Sequence, residues 1–105
     1  MSDRLNSILF EEGEDHKRYF NAVAPPIIQS SNFLFDNVSD FKEAMSSEDA
    51  SHIYGRGNNP TVEMLSKKMA ALEKTEAAIM VGSGASAMSL AVMRSFVSGD
   101  VSTTK

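Results

Sequence analysis

Cysteine is absent from this 105-residue chain, which excludes a disulfide framework and any thiolate metal site. Histidine is scarce: His16 and His52 stand far apart and form no metal-ligand motif. No uninterrupted apolar run is long enough to span a bilayer. The opening MSDRLNSILFEEGED turns acidic without the apolar core of a secretory signal, so a cytoplasmic address is expected. Positive charge is not in excess either. A formal net charge of -4 leaves no basic footprint, and neither nucleic acid nor membrane is expected as a partner. Internal repeats and low-complexity tracts are also missing. What remains is a hydrophobic content of 42% and a charged content of 23%, the range of a soluble globular protein. The length suffices for one small domain at most.

The pattern divides near residue 60. Residues 1–59 read as an arm, largely irregular with short helices. A helix is predicted over about residues 3–12, with Leu5, Ile8 and Leu9 on one side. Ala24-Pro25-Pro26 reads as extended or turn-like. A second short helix is predicted from Ser39, as N-cap, to Ser46, with Phe41, Ala44 and Met45 on one face. From Asn59 the signals sharpen. Asn59 caps a helix whose first turn suits Pro60, and Val62, Leu65, Met69 and Leu72 recur at helical spacing. Residues 76–81 read as a buried strand. A small-residue turn over 82–87 then opens an apolar helix that Gly99 stops. Val101 to Thr104 is β-prone and begins another strand in this reading. Met69, Met80, Met88 and Met93 fall where helices and strand should bury them.

Two places carry chemistry. The turn Gly82-Ser83-Gly84-Ala85-Ser86-Ala87 ends a strand and opens a helix, so its free backbone N–H groups and the helix dipole suit an anion. It is neither a Walker A loop nor a dinucleotide fingerprint, and taken alone it reads first as a tight strand-to-helix turn that uses small residues for packing. In Tyr54-Gly55-Arg56, arginine offers a bidentate charged fork for phosphate oxygens and tyrosine a further donor. The plain alternative is an exposed arginine in a Gly/Asn loop. His52 reads as a solvated loop histidine, and the acidic run over residues 11–15 as a solvated stretch.

Taken in order, NAVAPPIIQSSNFLF, YGRGNNPT, LEKTEAAIMVGSGASAM and SGD resemble the Cys/Met-metabolism family of pyridoxal-phosphate (PLP) enzymes. That family includes methionine γ-lyase, the cystathionine lyases and synthase, and O-acetylhomoserine sulfhydrylase. The resemblance covers about residues 21–100, and YGRGNNPT is its most specific part. It implies an α/β fold: an arm, then, over residues 60–105, the first helix-strand-helix of an aspartate aminotransferase-like large domain. It implies PLP as cofactor, with Tyr54 and Arg56 binding the phosphate held by a neighbouring subunit. Ser83, Gly84 and Ala85 would lead into and supply backbone donors to the chain's own PLP. Ala85 stands where the family usually has a larger residue, which a backbone donor tolerates. The implied assembly is a homo-oligomer, dimer or tetramer, with a shared cofactor site. The implied reactions are lyase or transferase steps of methionine and cysteine metabolism and trans-sulfuration. They are β- or γ-elimination or replacement on an amino-acid substrate such as cystathionine, methionine or an O-acylated homoserine. The ring-stacking aromatic, the aspartate for the pyridine nitrogen and the Schiff-base lysine belong to later segments. The chain alone is therefore expected to be inactive, with no catalytic residue of its own. Ser102-Thr103-Thr104-Lys105 imitates the family's lysine motif, but Lys105 reads as a strand end or frayed terminus. A non-catalytic interaction module and a small phosphate-binding domain remain the alternative readings.

Overall fold

The computed structural model describes residues 2–47 and 51–102. Helix α1 spans Ser2–Phe10 and is followed by a 3-10 turn at His16–Tyr19. Helix α2 spans Val38–Ser46, α3 Pro60–Glu73 and α4 Gly84–Ser102. The termini of α2 and α3 follow their sequences. Asn37, rather than Ser39, caps α2: its side-chain Oδ1 accepts from the Asp40 N–H at 2.8 Å, and its side-chain amide donates to the Asp40 carboxylate at 2.8 Å. Asn59 caps α3 as expected, accepting from the Thr61 N–H at 2.8 Å, and Pro60 occupies a first-turn position that needs no donor. Lys74 ends α3 in the left-handed conformation, φ 55°. The N–H groups of Lys74 and Thr75 fold back onto the carbonyls of Ala71 and Ala70.

Among the described residues there is no strand. The single sheet-like feature there is an isolated antiparallel bridge between Asn32 and Tyr54. The strand expected over residues 76–81 is therefore not formed, and the helix-strand-helix order becomes helix, irregular segment, helix. The reason is physical: a strand exists only through the neighbour that satisfies its N–H and C=O groups, and no described segment pairs its backbone with this one. Helix α4 also passes through Gly99 and on to Ser102, so the strand expected from Val101 does not begin there. Thr103, Thr104 and Lys105 lie outside the described residues.

Packing concentrates on α3. Ile8 of α1 and Met64 of α3 are buried. The Lys68 ammonium donates to the carbonyl of Leu9 at 2.7 Å and reaches that of Ile8 at 3.4 Å. It also pairs with the Glu14 carboxylate at 2.7 Å. These carbonyls belong to the last turn of α1 and have no partner within the helix. Gly13, at φ 75°, brings the chain so close to α3 that a β-carbon would stand 3.1 Å from Lys67 Cβ and 3.2 Å from the Met64 carbonyl. The His16 ring lies between two carbonyls, with Nδ1 2.7 Å from Ala22 O and Nε2 3.3 Å from Phe10 O.

The expected apolar faces are otherwise left open. Val62, Leu65 and Leu72 of α3 are exposed, because the face of α3 that meets the arm at α1 and Gly13 carries Met64, Lys67 and Lys68 instead. Every described side chain of α4 to Phe96 is exposed. The burial expected for the methionines fails there, with Met88 at 73% and Met93 at 66% exposure. The accessible surface is 8811 Å², where a compact protein of this mass has about 5,800 Å². The radius of gyration is 17.1 Å against about 13 Å for a compact chain of this length.

Two outcomes follow from this packing. Sedimentation of the purified chain should show self-association or aggregation rather than a compact monomer, since so much apolar surface seeks cover. A monodisperse compact monomer with a sharp melt would contradict this. The second outcome concerns His16. The Ala22 carbonyl chiefly, with the Phe10 carbonyl and the Glu14 and Glu11 carboxylates, raises its pKa above the ordinary 6.5, partial desolvation opposing. A raised imidazole pKa means that the contribution is complete below the free value and is lost as pH rises through the raised one. An NMR titration should place the His16 midpoint above 6.5, with the arm loosening from its contacts over that range.

Candidate functional site

The segment over residues 51–59 has no regular structure of its own, so its shape comes from what holds it. Its far end is fastened by Asn59 and Thr61. The Asn59 side chain donates to the Ile28 carbonyl at 2.9 Å, and Thr61 Oγ1 accepts from the Ile28 N–H at 2.8 Å. Its middle is fastened to the same extended segment, where Tyr54 bridges Asn32 and the Gly55 N–H donates to the Ser31 carbonyl at 2.7 Å. The turn is closed from within. The N–H groups of Gly57 and Asn58 donate to the Tyr54 carbonyl at 2.9 and 3.2 Å.

Gly55 is what permits this crossing. A β-carbon at that position would stand 2.7 Å from the Ser30 carbonyl oxygen and 3.3 Å from Ser31 Cα. Both are backbone atoms, and neither can swing aside. The residue between the tyrosine and the arginine therefore has no side chain because another stretch of backbone passes there.

Tyr54 and Arg56 project from the turn together. The guanidinium carbon stands 5.3 Å from the Tyr54 ring centroid, a cation–π arrangement. Both side chains are exposed. Arg56 also lines a depression of about 300 Å³ with Asn58, Asn59, Glu63, Ser66 and residues 78–80. The cation is thus oriented by an aromatic face and keeps its donors open to solvent.

The second predicted site lies at the start of α4. Ser83 is its cap: the hydroxyl accepts from the Ser86 N–H at 3.1 Å and contacts the Ser86 hydroxyl at 2.9 Å, and the Ser83 carbonyl accepts from the Ala87 N–H at 3.1 Å. Gly84 and Ala85 are the first residues of the helix, so their N–H groups have no intrahelical acceptor. A β-carbon built on Gly82 or Gly84 would meet nothing within 4 Å, so an anion has free approach to this backbone. The donor set and the open approach both fit a phosphate.

The structure brings Tyr54 and Arg56 together and keeps Ser83, Gly84 and Ala85 together, but residues 83–85 do not line the depression that Arg56 lines. His52, read from sequence as a solvated loop histidine, is half-buried instead. Its Nε2 is 2.7 Å from Glu63 Oε2, and its ring lies 5.8 Å from that of Phe33. Glu63 holds a second ion pair with Lys67 at 2.7 Å. The Lys67 hydrogen bond first, with that of His52, depresses the Glu63 pKa below the ordinary 4.5 against the opposing effect of partial burial. Sequence reasoning missed this pair and the role of Gly55. The spacing of His52 and Glu63 across a loop-to-helix boundary follows no local rule. A glycine flanked by two large side chains was the one available signal for a close backbone crossing.

Comparison with known proteins adds an independent observation. The family model for Cys/Met metabolism PLP-dependent enzymes matches residues 6–104. An L-methionine gamma-lyase of Fusobacterium nucleatum subsp. polymorphum is 38% identical over 84 residues, covering 80% of this chain and 21% of the relative. An O-acetyl-L-homoserine sulfhydrylase of Corynebacterium glutamicum is 37% identical over 75 residues, covering 71% and 17%. A homocysteine synthase of Schizosaccharomyces pombe is 29% identical over 99 residues, covering 94% and 23%. The chain spans about a fifth of the length of the curated relatives it matches.

The Gly55 crossing is directly testable. Gly55→Ala should destabilise the turn by about 1–3 kcal/mol, as overpacking against fixed backbone does. It should also speed amide exchange at Gly57 and Asn58. Gly82→Ala, with open space around it, should leave both measurements nearly unchanged.

Proposed function

Because this chain belongs to the family of Cys/Met metabolism PLP-dependent enzymes, we propose that it supplies two halves of a phosphate grip, one for the cofactor of its own subunit and one for that of a neighbour. Members of this family depend on PLP and act on amino acids, and their fold is that of the type I PLP enzymes. Bound PLP supplies the electron sink for chemistry at the substrate carbons. The residues of this chain bind and orient. Gly84 and Ala85 offer backbone N–H donors at the start of α4, with Ser83 setting the turn. Tyr54 and Arg56 offer a hydroxyl and a charged fork.

The observation that carries this reading is the presentation of Arg56. Its guanidinium is held over the Tyr54 ring on an exposed turn, and that turn is locked by the close crossing at Gly55. A cation fixed in this way, with its donors outward, is complementary to a phosphate arriving from outside the subunit. Supporting the division between subunits, the two halves line no common depression around Arg56. The exposed faces of α3 and α4 also leave room for a partner. The assembled enzyme would then be a homo-oligomer. Its substrate would be a sulfur amino acid or an O-acylated homoserine, following the relatives, and its reaction a β- or γ-elimination or replacement. The arm over residues 1–59 and the region over 60–105 divide this labour: the first reaches the neighbour and the second begins the large domain. Bond-making chemistry belongs to residues other than these, so the chain alone binds and does not turn over substrate.

Arg56→Ala should weaken PLP retention by about 1.5–3 kcal/mol through loss of a charge-assisted bond. Arg56→Lys should restore only part of it, since the fork geometry is gone. Mixed oligomers of a full-length enzyme carrying this segment decide the sharing. One protomer lacks Arg56 and the other lacks the Schiff-base lysine. If Arg56 serves the neighbour, one site in each pair is intact and activity returns. Activity that stays low would place Arg56 in its own subunit and refute the shared grip.

A further inference from the structure

The depression lined by Arg56 also contains a carboxylate, that of Glu63. Taken alone this is adverse. A free carboxylate beside an anion grip repels the anion and offers Arg56 a competing partner from its own subunit. The structure shows why that competition is absent. One oxygen of Glu63 accepts from His52 Nε2 at 2.7 Å and the other takes the Lys67 ammonium at 2.7 Å. His52 is steadied from behind by the Phe33 ring at 5.8 Å. Lys67 lies one helical turn along α3 from Glu63, the i,i+4 spacing that lets two side chains meet on a helix face. Both carboxylate oxygens are thus engaged by partners other than Arg56, whose guanidinium rests on Tyr54 instead.

We propose that His52 and Lys67 are positioning residues that occupy the Glu63 carboxylate and thereby keep Arg56 available to a phosphate group. The proposal rests on the phosphate-grip reading and adds a determinant to it. Neither His52 nor Lys67 touches the phosphate. Each acts through Glu63, so removing either frees one carboxylate oxygen, and Arg56 leaves the Tyr54 ring to pair with it. The depressed pKa of Glu63 agrees, since it reflects a carboxylate held charged by these two partners.

The test is PLP titration of the apo form of a full-length enzyme carrying this segment, read by cofactor fluorescence, with inorganic phosphate as competitor. The variants are His52→Ala, Lys67→Met, Glu63→Gln, the two double variants that add Glu63→Gln, and Arg56→Ala as reference. Arg56→Ala should weaken binding about tenfold or more. His52→Ala should approach that loss, and Lys67→Met should show part of it. Adding Glu63→Gln to either should restore binding, because a neutral amide neither repels phosphate nor forms an ion pair with Arg56. A merely structural role for His52 would not be rescued by changing its partner. Lys67 is more than half exposed, so Lys67→Met keeps the fold of the turn and tests the idea even if His52→Ala unfolds it.

Failures separate cleanly. If Arg56→Ala binds PLP like the wild-type enzyme, the grip reading itself is refuted. If Arg56→Ala weakens binding but Lys67→Met and His52→Ala do not, or Glu63→Gln fails to rescue them, the grip stands and the role of His52 and Lys67 is refuted.

Discussion

The Lys68 ammonium is the interaction on which the order of the arm depends. Three acceptors converge on it: two carbonyls at the end of α1 and the carboxylate of Glu14. A nine-residue helix such as α1 is too short to persist by itself in water. It persists here because one long side chain from α3 satisfies carbonyls that the helix cannot satisfy internally and because Ile8 and Met64 are buried beside it. The close approach at Gly13 completes the fit. The extended segment and the Tyr54 turn are fastened to α3 as well, through Ile28, Thr61 and Glu63. Helix α3 is therefore a common support, and the arm and the turn are placed relative to each other by being placed on it.

That support is finished on one face only. The face of α3 that meets the arm carries long charged side chains and one buried methionine, while Val62, Leu65 and Leu72 stay open. Helix α4 is open at every described side chain. The relatives are several times longer than the stretch matched. The Glu63 carboxylate is the opposite case, since it is satisfied within the chain by His52 and Lys67.

Much of this was legible in sequence wherever the rule is local. Asn59-Pro60 marked the start of α3 because cap and first turn are decided by adjacent residues. The family was legible from the ordered blocks, YGRGNNPT above all. The strand expected over residues 76–81 rested on a short run ending at glycine, and such a run does not name the neighbour a strand requires. Gly99 did not stop α4, since a glycine inside a helix costs only about 1 kcal/mol and the helix continues to Ser102. Apolar spacing identified the stripe at Val62, Leu65 and Leu72, but spacing says which residues share a face and not whether anything covers it. His52 escaped for a related reason. Its partner lies on α3, and no periodicity links a loop residue to one on a following helix.

The crossing at Gly55 has a consequence for recombination. Because the backbone near Ser30 passes within a β-carbon's width of Gly55, and Asn59 and Thr61 clasp Ile28, two stretches distant along the chain form one inherited unit. A chimera joined anywhere between them takes each half of that clasp from a different parent. The natural crossover points lie before Ile27 or after Thr61, where both halves travel together.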